Sequence, residues 1–167
     1  MIFTAHREFL SQSLPEIKPI LHEHWEELAR NRDTIKLNPN FDKYLKLESI
    51  GAYRAYVVRS YNDEIAGYAG YLINDHIHYS GHTWALSDLF FVRTKFRRGR
   101  KFFCGRRITK GAGTVLFDAI EADLSSIGVS VMHTTFKLAN PAAGKMLSKR
   151  GHSPIEMGYA KVLKRQG

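Results

Sequence analysis

The most hydrophobic stretch of this 167-residue chain constrains its fold more than any other feature. It runs from Trp84 to Val92 (WALSDLFFV), and only Ser87 and Asp88 in it are polar. A short apolar run of this kind predicts a strand buried inside a sheet. A basic segment follows, and then Gly111-Ala112-Gly113 leads into the periodic pattern of a helix.

Helices and strands are predicted on both sides of this central strand. Apolar residues at helical spacing predict helices that begin at Ser13, near Phe41, at Thr114 and at Asn140. Apolar or alternating runs predict strands over 2–6, 53–60, 65–73, 129–136 and 155–163. No repeat, low-complexity tract or linker divides the chain, so we expect one mixed α/β domain over residues 1–167.

The positive charge of the chain is concentrated in one segment. Nine of the 25 basic residues lie between Arg93 and Lys110, where there is no acidic residue, and the other 16 equal the 16 acidic residues in number. Charge so localised predicts one anion-binding place rather than an evenly basic surface for nucleic acid. A nucleic-acid partner is the lesser alternative, with Phe102 and Phe103 available to stack on bases.

The single cysteine and the absence of long apolar runs indicate the compartment. Cys104 cannot form an internal disulfide, which is typical of a reducing environment. No run approaches the roughly 18 apolar residues of a membrane span, and the first residues lack the order of a signal peptide. We therefore expect a cytoplasmic monomer or homodimer with no membrane partner.

A strand, a glycine-containing basic turn and a helix together suit a phosphate group. The first N–H groups of a helix point at an anion, and glycine allows the backbone to approach it closely. The Walker pattern is absent, because no Gly-Lys-Ser/Thr follows at the required spacing. A dinucleotide-binding fold would need a parallel repeat, which the strand-rich first half of the chain does not offer.

The order of elements resembles the GNAT superfamily of acyl-CoA-dependent N-acetyltransferases. Val92 is followed five positions later by Arg97, and Arg97-Arg98-Gly99 begins the family's pyrophosphate-binding pattern, which Gly111-Ala112-Gly113 completes. Eleven extra residues, 100–110, form a basic insertion between the two parts. The resemblance covers about residues 2–163. A narrower likeness is to small GNAT proteins encoded by tailed bacteriophages, whose members would act in the host cytoplasm.

The resemblance implies a GNAT-like fold, with a mixed, mostly antiparallel central sheet flanked by helices. It also implies acetyl-CoA as co-substrate, no metal, and an amine acceptor on a small molecule or on a protein such as a host protein. The implied cofactor-binding residues are Phe91, Val92, Arg97, Arg98, Gly99, Gly111, Ala112, Gly113 and Asn140. Arg106 or Arg107 of the insertion is an alternative to Arg97. The insertion could instead grip the adenine and 3′-phosphate of CoA, or be a surface loop without a role.

Asp88 is the candidate base of the implied reaction. Acetyl transfer requires that the amine lose a proton, and many GNAT proteins carry an acidic residue at this place in the strand. A carboxylate in an otherwise apolar strand is costly unless it is paired. The alternative is therefore a structural Asp88 that accepts hydrogen bonds from the backbone, His78 or His82.

Two residues are candidates to protonate the departing thiolate. The family's tyrosine position, four residues before a Gly-Phe pair, aligns with Leu147 here, and His152 replaces the Phe. Ser148 and Tyr159 are the nearest substitutes, although a buried core tyrosine is the preferred interpretation of Tyr159. Asn140 is explained equally well as a helix cap.

Three further patterns leave alternatives open. His76, His78 and His82 lack an acidic or cysteine ligand beside them, so we predict no metal. The missing tyrosine and the interrupted loop permit a catalytically silent GNAT-fold protein that binds a host protein or nucleic acid through its basic insertion. Glutamates on the first helix (Glu23, Glu26, Glu27) indicate a cationic acceptor, whereas the basic insertion indicates an acidic one.

Overall fold

A computed structural model describes residues 3–97, 102–103, 106–107, 110–137 and 141–163. The chain forms two units, Met1–Thr135 and Phe136–Gly167. The side chains of residues 102, 103, 106, 107 and 141 lie outside the description. The single domain expected from the sequence stays a prediction.

The first unit is built on a five-stranded sheet of order β1-β2-β3-β4-β7. The strands of the chain are β1 Phe3–Arg7, β2 Tyr53–Ser60, β3 Ile65–Asp75, β4 Thr83–Val92, β5 Phe102–Phe103, β6 Arg106–Arg107 and β7 Val129–His133. Strands β1 to β4 pair in antiparallel fashion, and β7 runs parallel to β4. The predicted mixed, mostly antiparallel sheet is therefore confirmed.

Five α-helices accompany the strands in the described part of the chain. They are α1 Leu10–Ile17, α2 Leu21–Leu28, α3 Phe41–Ser49, α4 Ala112–Ser126 and α5 Pro141–Ser148, with a 3₁₀ turn over Lys18–Ile20. None of these described helices has the length and apolarity needed to cross a membrane.

The first helix begins earlier than the sequence predicts. Ser13 lies inside α1 and donates to the carbonyl of Phe9, so the predicted start of the helix at Ser13 is wrong. The first N–H of the helix, on Leu10, instead donates to the buried carboxylate of Glu48 at 2.9 and 3.1 Å. A cap supplied from a residue so distant in the sequence leaves no local pattern.

The sheet is covered on both faces. Leu116, Ile120 and Leu124 of α4 pack against Tyr56 and Val58 on one face. On the other face, Ile17 and Ile20 pack against Val57, Tyr68 and Phe91. Because alternate residues of a strand face opposite sides, β2 contributes to both clusters, and all its residues except Arg54 and Arg59 are buried. Burial on two faces explains why these strands have few polar residues.

The insertion at 100–110 contains two short paired strands. Strands β5 and β6 pair in antiparallel fashion, with Phe102 facing Arg107 and Phe103 facing Arg106. At least part of the insertion therefore has regular backbone structure.

The second unit contains α5 and a long irregular segment. Gly151, at a φ of 86°, follows the end of α5, a conformation that glycine adopts at little cost. The strand predicted from Ile155 to Leu163 is wrong, because described residues 152–163 form neither helix nor strand. Its alternating pattern fits a strand, but strand formation depends on pairing and packing as well as on propensity.

Candidate active site

Strand β4 contains a β-bulge at Asp88. Gly70 of β3 faces Leu89, and the next residue, Tyr71, faces Ser87, so Asp88 has no partner in this register. An extra residue of this kind bends a strand and redirects a side chain, and bulges are common beside active sites.

The bulge decides which face of the sheet Asp88 occupies. Ala85 before the bulge, and Phe90 and Val92 after it, belong to the cluster that includes α4. Strict alternation from Ala85 would not place Phe90 on that face, so the bulge shifts the phase by one residue. Asp88 and Leu89 consequently both face away from α4, towards the side that carries α1 to α3.

Two tyrosines hold the carboxylate of Asp88. Oδ2 accepts hydrogen bonds from the hydroxyls of Tyr44 at 2.9 Å and Tyr53 at 3.2 Å. Tyr44 lies on α3 and Tyr53 begins β2, while Asp88 itself is exposed to solvent. The alternative predicted that Asp88 is held by hydrogen bonds, but it named the wrong side chains. Tyrosines hold the carboxylate, and His82 instead bonds to the hydroxyl of Ser130 at 3.1 Å.

Glycine at position 70 makes room for this arrangement. A Cβ atom added at Gly70 would lie 1.7 Å from the Tyr53 hydroxyl oxygen, far inside any allowed contact. Burial, and then the charge of Asp88, raise the pKa of Tyr44 to about 12 and also raise the pKa of Tyr53. Both hydroxyls therefore stay protonated at neutral pH and act as donors to Asp88.

The second half of β4 has an open edge. The β7 ladder reaches only from Thr83 to Leu86 of β4, and beyond it the Ser87 hydroxyl accepts from the Thr135 N–H at 2.8 Å. No strand in the described part of the chain pairs with residues 87–92 on this edge. The parallel strands thus part at the level of Asp88.

Backbone groups of β4 point into this opening. The Arg93 N–H donates to the Ala66 carbonyl of β3 at 2.9 Å. Because bonded and unbonded pairs alternate in an antiparallel ladder, the backbone of Phe91 also turns to β3, and that of Phe90 and Val92 turns away from it. Of the two β4 residues that the resemblance implies for cofactor binding, Val92 turns its backbone to the opening. Phe91 turns its backbone to β3, and its side chain is buried.

The start of α4 lies beside the same opening. A Cβ at Gly113 would be 3.8 Å from a methyl carbon of Val92, so the two residues are neighbours. Gly111 precedes the helix without a side-chain cap, and the first turn, which includes Ala112, contains no acidic residue. Such a helix start favours an anion through its N–H groups and its dipole.

The basic residues directly after β4 are paired with acids from other elements. Arg97 donates to the Val92 carbonyl and to Glu27 of α2. Arg93 pairs with Glu23 and Glu64, and Lys95 also pairs with Glu64. Residues 93–97 therefore do not form the uncompensated positive patch that the sequence predicts. The same pairs occupy Glu23 and Glu27, which removes them as a free acidic surface for the acceptor.

The remaining predicted site residues lie elsewhere or outside the description. Ser148 is the last residue of α5 and is exposed. Tyr159 is 91% exposed, so its interpretation as a core residue is wrong, and its hydroxyl lies 3.2 Å from the Met157 sulfur. Both belong to the second unit, and their part in transfer stays a prediction. Arg98, Gly99, Asn140 and the Arg107 side chain lie outside the described residues.

Sequence reasoning missed the residues that surround Asp88. Tyr44, Tyr53 and Gly70 were not predicted, although a glycine inside a strand can mark the close approach of another group. His24 was also missed; it stacks on Phe91 at 4.5 Å and bonds to a tyrosine of β3, Tyr68, at 2.8 Å. An acidic residue in an apolar strand indicates that a partner exists, but not where in the sequence that partner lies.

A histidine of the loop after β3 forms a local hydrogen bond with the backbone. Nδ1 of His76 accepts from the His78 N–H at 3.1 Å. Within the residues that the structure describes, no group of three His, Cys, Asp or Glu side chains is placed to hold a metal ion.

No protein-family model and no curated protein sequence matches the chain. Solved structures match it over nearly its whole length. One is an aminoglycoside acetyltransferase from an uncultured soil metagenomic sample in complex with sisomicin, with a TM-score of 0.71 and 14% identity over 98% of this chain and 97% of that chain.

Two further structures extend the likeness. A ribosomal-protein-alanine N-acetyltransferase from Brucella melitensis biovar Abortus 2308 has a TM-score of 0.70 and 14% identity, over 98% of this chain and all (100%) of that chain. A glucosamine-6-phosphate N-acetyltransferase from Arabidopsis thaliana has a TM-score of 0.66 and 14% identity, with the same coverage. At such identity the likeness is one of fold, and the chain has the mixed α/β fold of the GNAT acetyltransferases.

Proposed function

We propose that the protein is an N-acetyltransferase that moves an acetyl group from acetyl-CoA to a primary amine by direct transfer in a ternary complex. The observation that carries this proposal is the arrangement along β4. This strand presents the Asp88 carboxylate at a bulge, parts from β7 at the same level, and ends beside the start of α4.

Acetyl-CoA would lie in the opening between β4 and β7. The backbone of Val92 would bond to its pantetheine arm, and the N–H groups of Gly111, Ala112 and Gly113 would bind its pyrophosphate. Arg97 would add a guanidinium once it exchanges Glu27 for a phosphate. By resemblance to the family, Arg98, Gly99, Arg107 and Asn140 would complete the cofactor site.

Asp88 would act as the base, directly or through one water molecule. An alkylamine with a pKa of about 10.4 is almost fully protonated at neutral pH, and making it neutral costs about 4 to 5 kcal/mol. Asp88 takes the proton, and the amine nitrogen then attacks the thioester carbonyl carbon. Tyr44 and Tyr53 keep the carboxylate in place while the proton moves.

Collapse of the tetrahedral intermediate completes the reaction. The carbon–sulfur bond breaks, the nitrogen loses its second proton to solvent water so that the acetyl group stays on it as an amide, and the CoA thiolate gains a proton. Ser148 and Tyr159 remain the proposed sources of that proton.

Binding and turnover test the proposal separately. We expect millimolar acetyl-CoA to raise the melting temperature, and Gly113→Asp to abolish that shift by placing a carboxylate at the pyrophosphate site. Ala122→Asp is the matched control, because it adds the same charge at an exposed position of the same helix. Release of CoA thiol with a panel of primary amines measures transfer. Absence of stabilisation by both acetyl-CoA and CoA would overturn the proposal.

A further inference from the structure

The face of β4 that carries Asp88 continues towards the start of the strand as an apolar surface. Trp84 and Leu86 share this face, because residues two apart in a strand point to the same side. β7 adds Val131 and His133, which pair with Trp84 and Leu86 in the sheet. These four residues are named here the Leu86 surface.

The two aliphatic residues of the Leu86 surface are exposed to solvent. Leu86 is 45% exposed and Val131 is 39% exposed. Their sheet neighbours Ala85 and Met132 point the other way and pack in the cluster with α4. The two exposed side chains are therefore not needed to hold α4 on the sheet.

The aromatic end of this surface is held in place by stacking. The ring of His133 stacks on Trp84 at 4.6 Å, and His76 approaches the same indole at 3.9 Å. Tyr79 lies parallel to Trp84 at 6.2 Å. An indole packed in this way offers a rigid apolar wall rather than a mobile side chain.

The Leu86 surface itself contains no carboxylate, and several carboxylates of α2 and α3 on this side of the sheet are engaged by other groups. Glu23 and Glu27 of α2 are paired with arginines, and Glu48 holds the start of α1. Asp75 bonds to Thr83 at 2.8 Å, and alternation places Thr83 on the opposite face from Trp84. Along the Leu86 surface a polycation would meet an apolar wall beyond Asp88, which is an unfavourable match for its other charges.

We propose that the acceptor is a singly charged primary amine with an apolar body. Its nitrogen lies at Asp88, and its body covers Leu86 and Val131 and reaches towards Trp84. Four strand residues span about 13 Å, which sets the length of body that this surface accommodates. The inference rests on the proposed acetyl transfer and specifies the class of acceptor for it.

Fluorescence of Trp84 measures acceptor binding without any need for turnover. The chain has two tryptophans, so Trp25→Phe leaves Trp84 as the only one. We expect 2-phenylethylamine to change its emission and to bind at least about tenfold more tightly than ethylamine, which has the same charge without the apolar body. 2-Phenylethanol, which lacks the charge, is also expected to bind more weakly than 2-phenylethylamine.

A pair of variants tests whether the Leu86 surface is responsible. In the Trp25→Phe background, Leu86→Asn is expected to weaken 2-phenylethylamine binding about fivefold or more, by removing apolar contact. Ile127→Asn is the matched control, because Ile127 is 40% exposed but lies at the end of α4. Equal effects of the two substitutions would overturn the inference, as would absence of 2-phenylethylamine binding.

Thiol release with the same amines separates this inference from the proposed function. Higher kcat/KM for spermidine than for 2-phenylethylamine would overturn the acceptor class while leaving acetyl transfer in place. Binding of 2-phenylethylamine that depends on Leu86, with no thiol release from any amine, would support the surface as a binding site and overturn the proposed function.

Discussion

Asp88 on strand β4 and Arg97, five residues after its end, are held in different ways. Asp88 accepts hydrogen bonds from tyrosine hydroxyls, and the position of Tyr53 depends on the absence of a side chain at Gly70. Arg97 is held by an ion pair with Glu27, and these side chains are 36% and 33% exposed.

This difference makes the Asp88 site a preformed site and the Arg97 site one whose partner can be exchanged. Leaving a buried hydrogen-bonding group without its partner costs about 1 to 3 kcal/mol. An exposed ion pair contributes about 0 to 1 kcal/mol, so a phosphate can replace its anion at little cost. We therefore expect the acceptor side to keep its geometry on binding and the cofactor side to exchange partners.

The largest expected effect comes from Asp88→Asn. Loss of the general base lowers kcat/KM by about 10² to 10⁴, measured by thiol release under saturating acetyl-CoA. The amide keeps an oxygen that can accept from Tyr44 and Tyr53, so the melting temperature should change little. Asp75→Asn is the control, because Asp75 bonds to Thr83 on the other face. A loss of less than about tenfold would exclude Asp88 as the base.

Gly70→Ala tests whether packing sets the Asp88 site. The new methyl group would collide with Tyr53, so we expect a loss of about 1 to 3 kcal/mol in the free energy of unfolding and a lower kcat. Gly113→Ala is the matched control, since its methyl group would meet only an ordinary contact with Val92. Urea denaturation measures both variants. Equal stability of the two would show that Tyr53 moves aside without strain.

Tyr53→Phe asks how much one of the two hydrogen bonds contributes. The ring still fills the buried space, so the expected loss of stability is about 1 kcal/mol. We expect kcat to fall by up to about tenfold with KM unchanged, because the carboxylate is less well positioned. Tyr56→Phe removes a comparable bond, to Asp123 at 2.7 Å on the α4 face, and should leave kcat unchanged. A change confined to KM would point to a binding role instead.

Tyr44 makes the stability of the same site depend on pH in the alkaline range. Its pKa is raised to about 12 by burial first and then by Asp88, against an ordinary value of about 10. Between these values the unfolded chain releases this proton and the folded chain keeps it, so the free energy of unfolding falls as pH rises. NMR of ring-labelled tyrosine should show a lower pKa for Tyr44 in Asp88→Asn and an unchanged one in Asp75→Asn.

Local periodicity was sufficient for most of the fold. The prediction of a strand over 53–60 matches β2 residue for residue, because alternation and aromatic content act locally. The strand predicted over 155–163 had the same kind of pattern and is absent, because strand pairing depends on residues outside the segment. The early start of α1 at Leu10 also depends on a distant residue, because Glu48, which binds the Leu10 N–H, lies 38 residues away in the sequence.

The candidate site was predictable only in part, for the same reason. Asp88 and Val92 could be found from an apolar strand and a motif that follows it. The partners of Asp88 could not, because they come from α3 and β2, far from β4 in sequence. Counting charge along the chain also predicted an uncompensated positive patch that the structure does not show. Arg93 and Arg97 have no acidic neighbours in the sequence, but each forms an ion pair with a glutamate of α2 in the fold. The narrower likeness to bacteriophage proteins stays a prediction.

The smallest expected effect is at the exchangeable site and comes from Glu27→Gln. If Arg97 leaves Glu27 to bind pyrophosphate, removing the glutamate charge abolishes a competitor for the guanidinium. We expect acetyl-CoA to bind a few-fold more tightly, by calorimetry, with unfolding free energy changed by less than about 1 kcal/mol. Glu26→Gln is the matched control, because this neighbouring glutamate pairs with Arg32. Equal or weaker binding in Glu27→Gln would mean that Arg97 stays with β4 and that the phosphate contact comes from another basic residue.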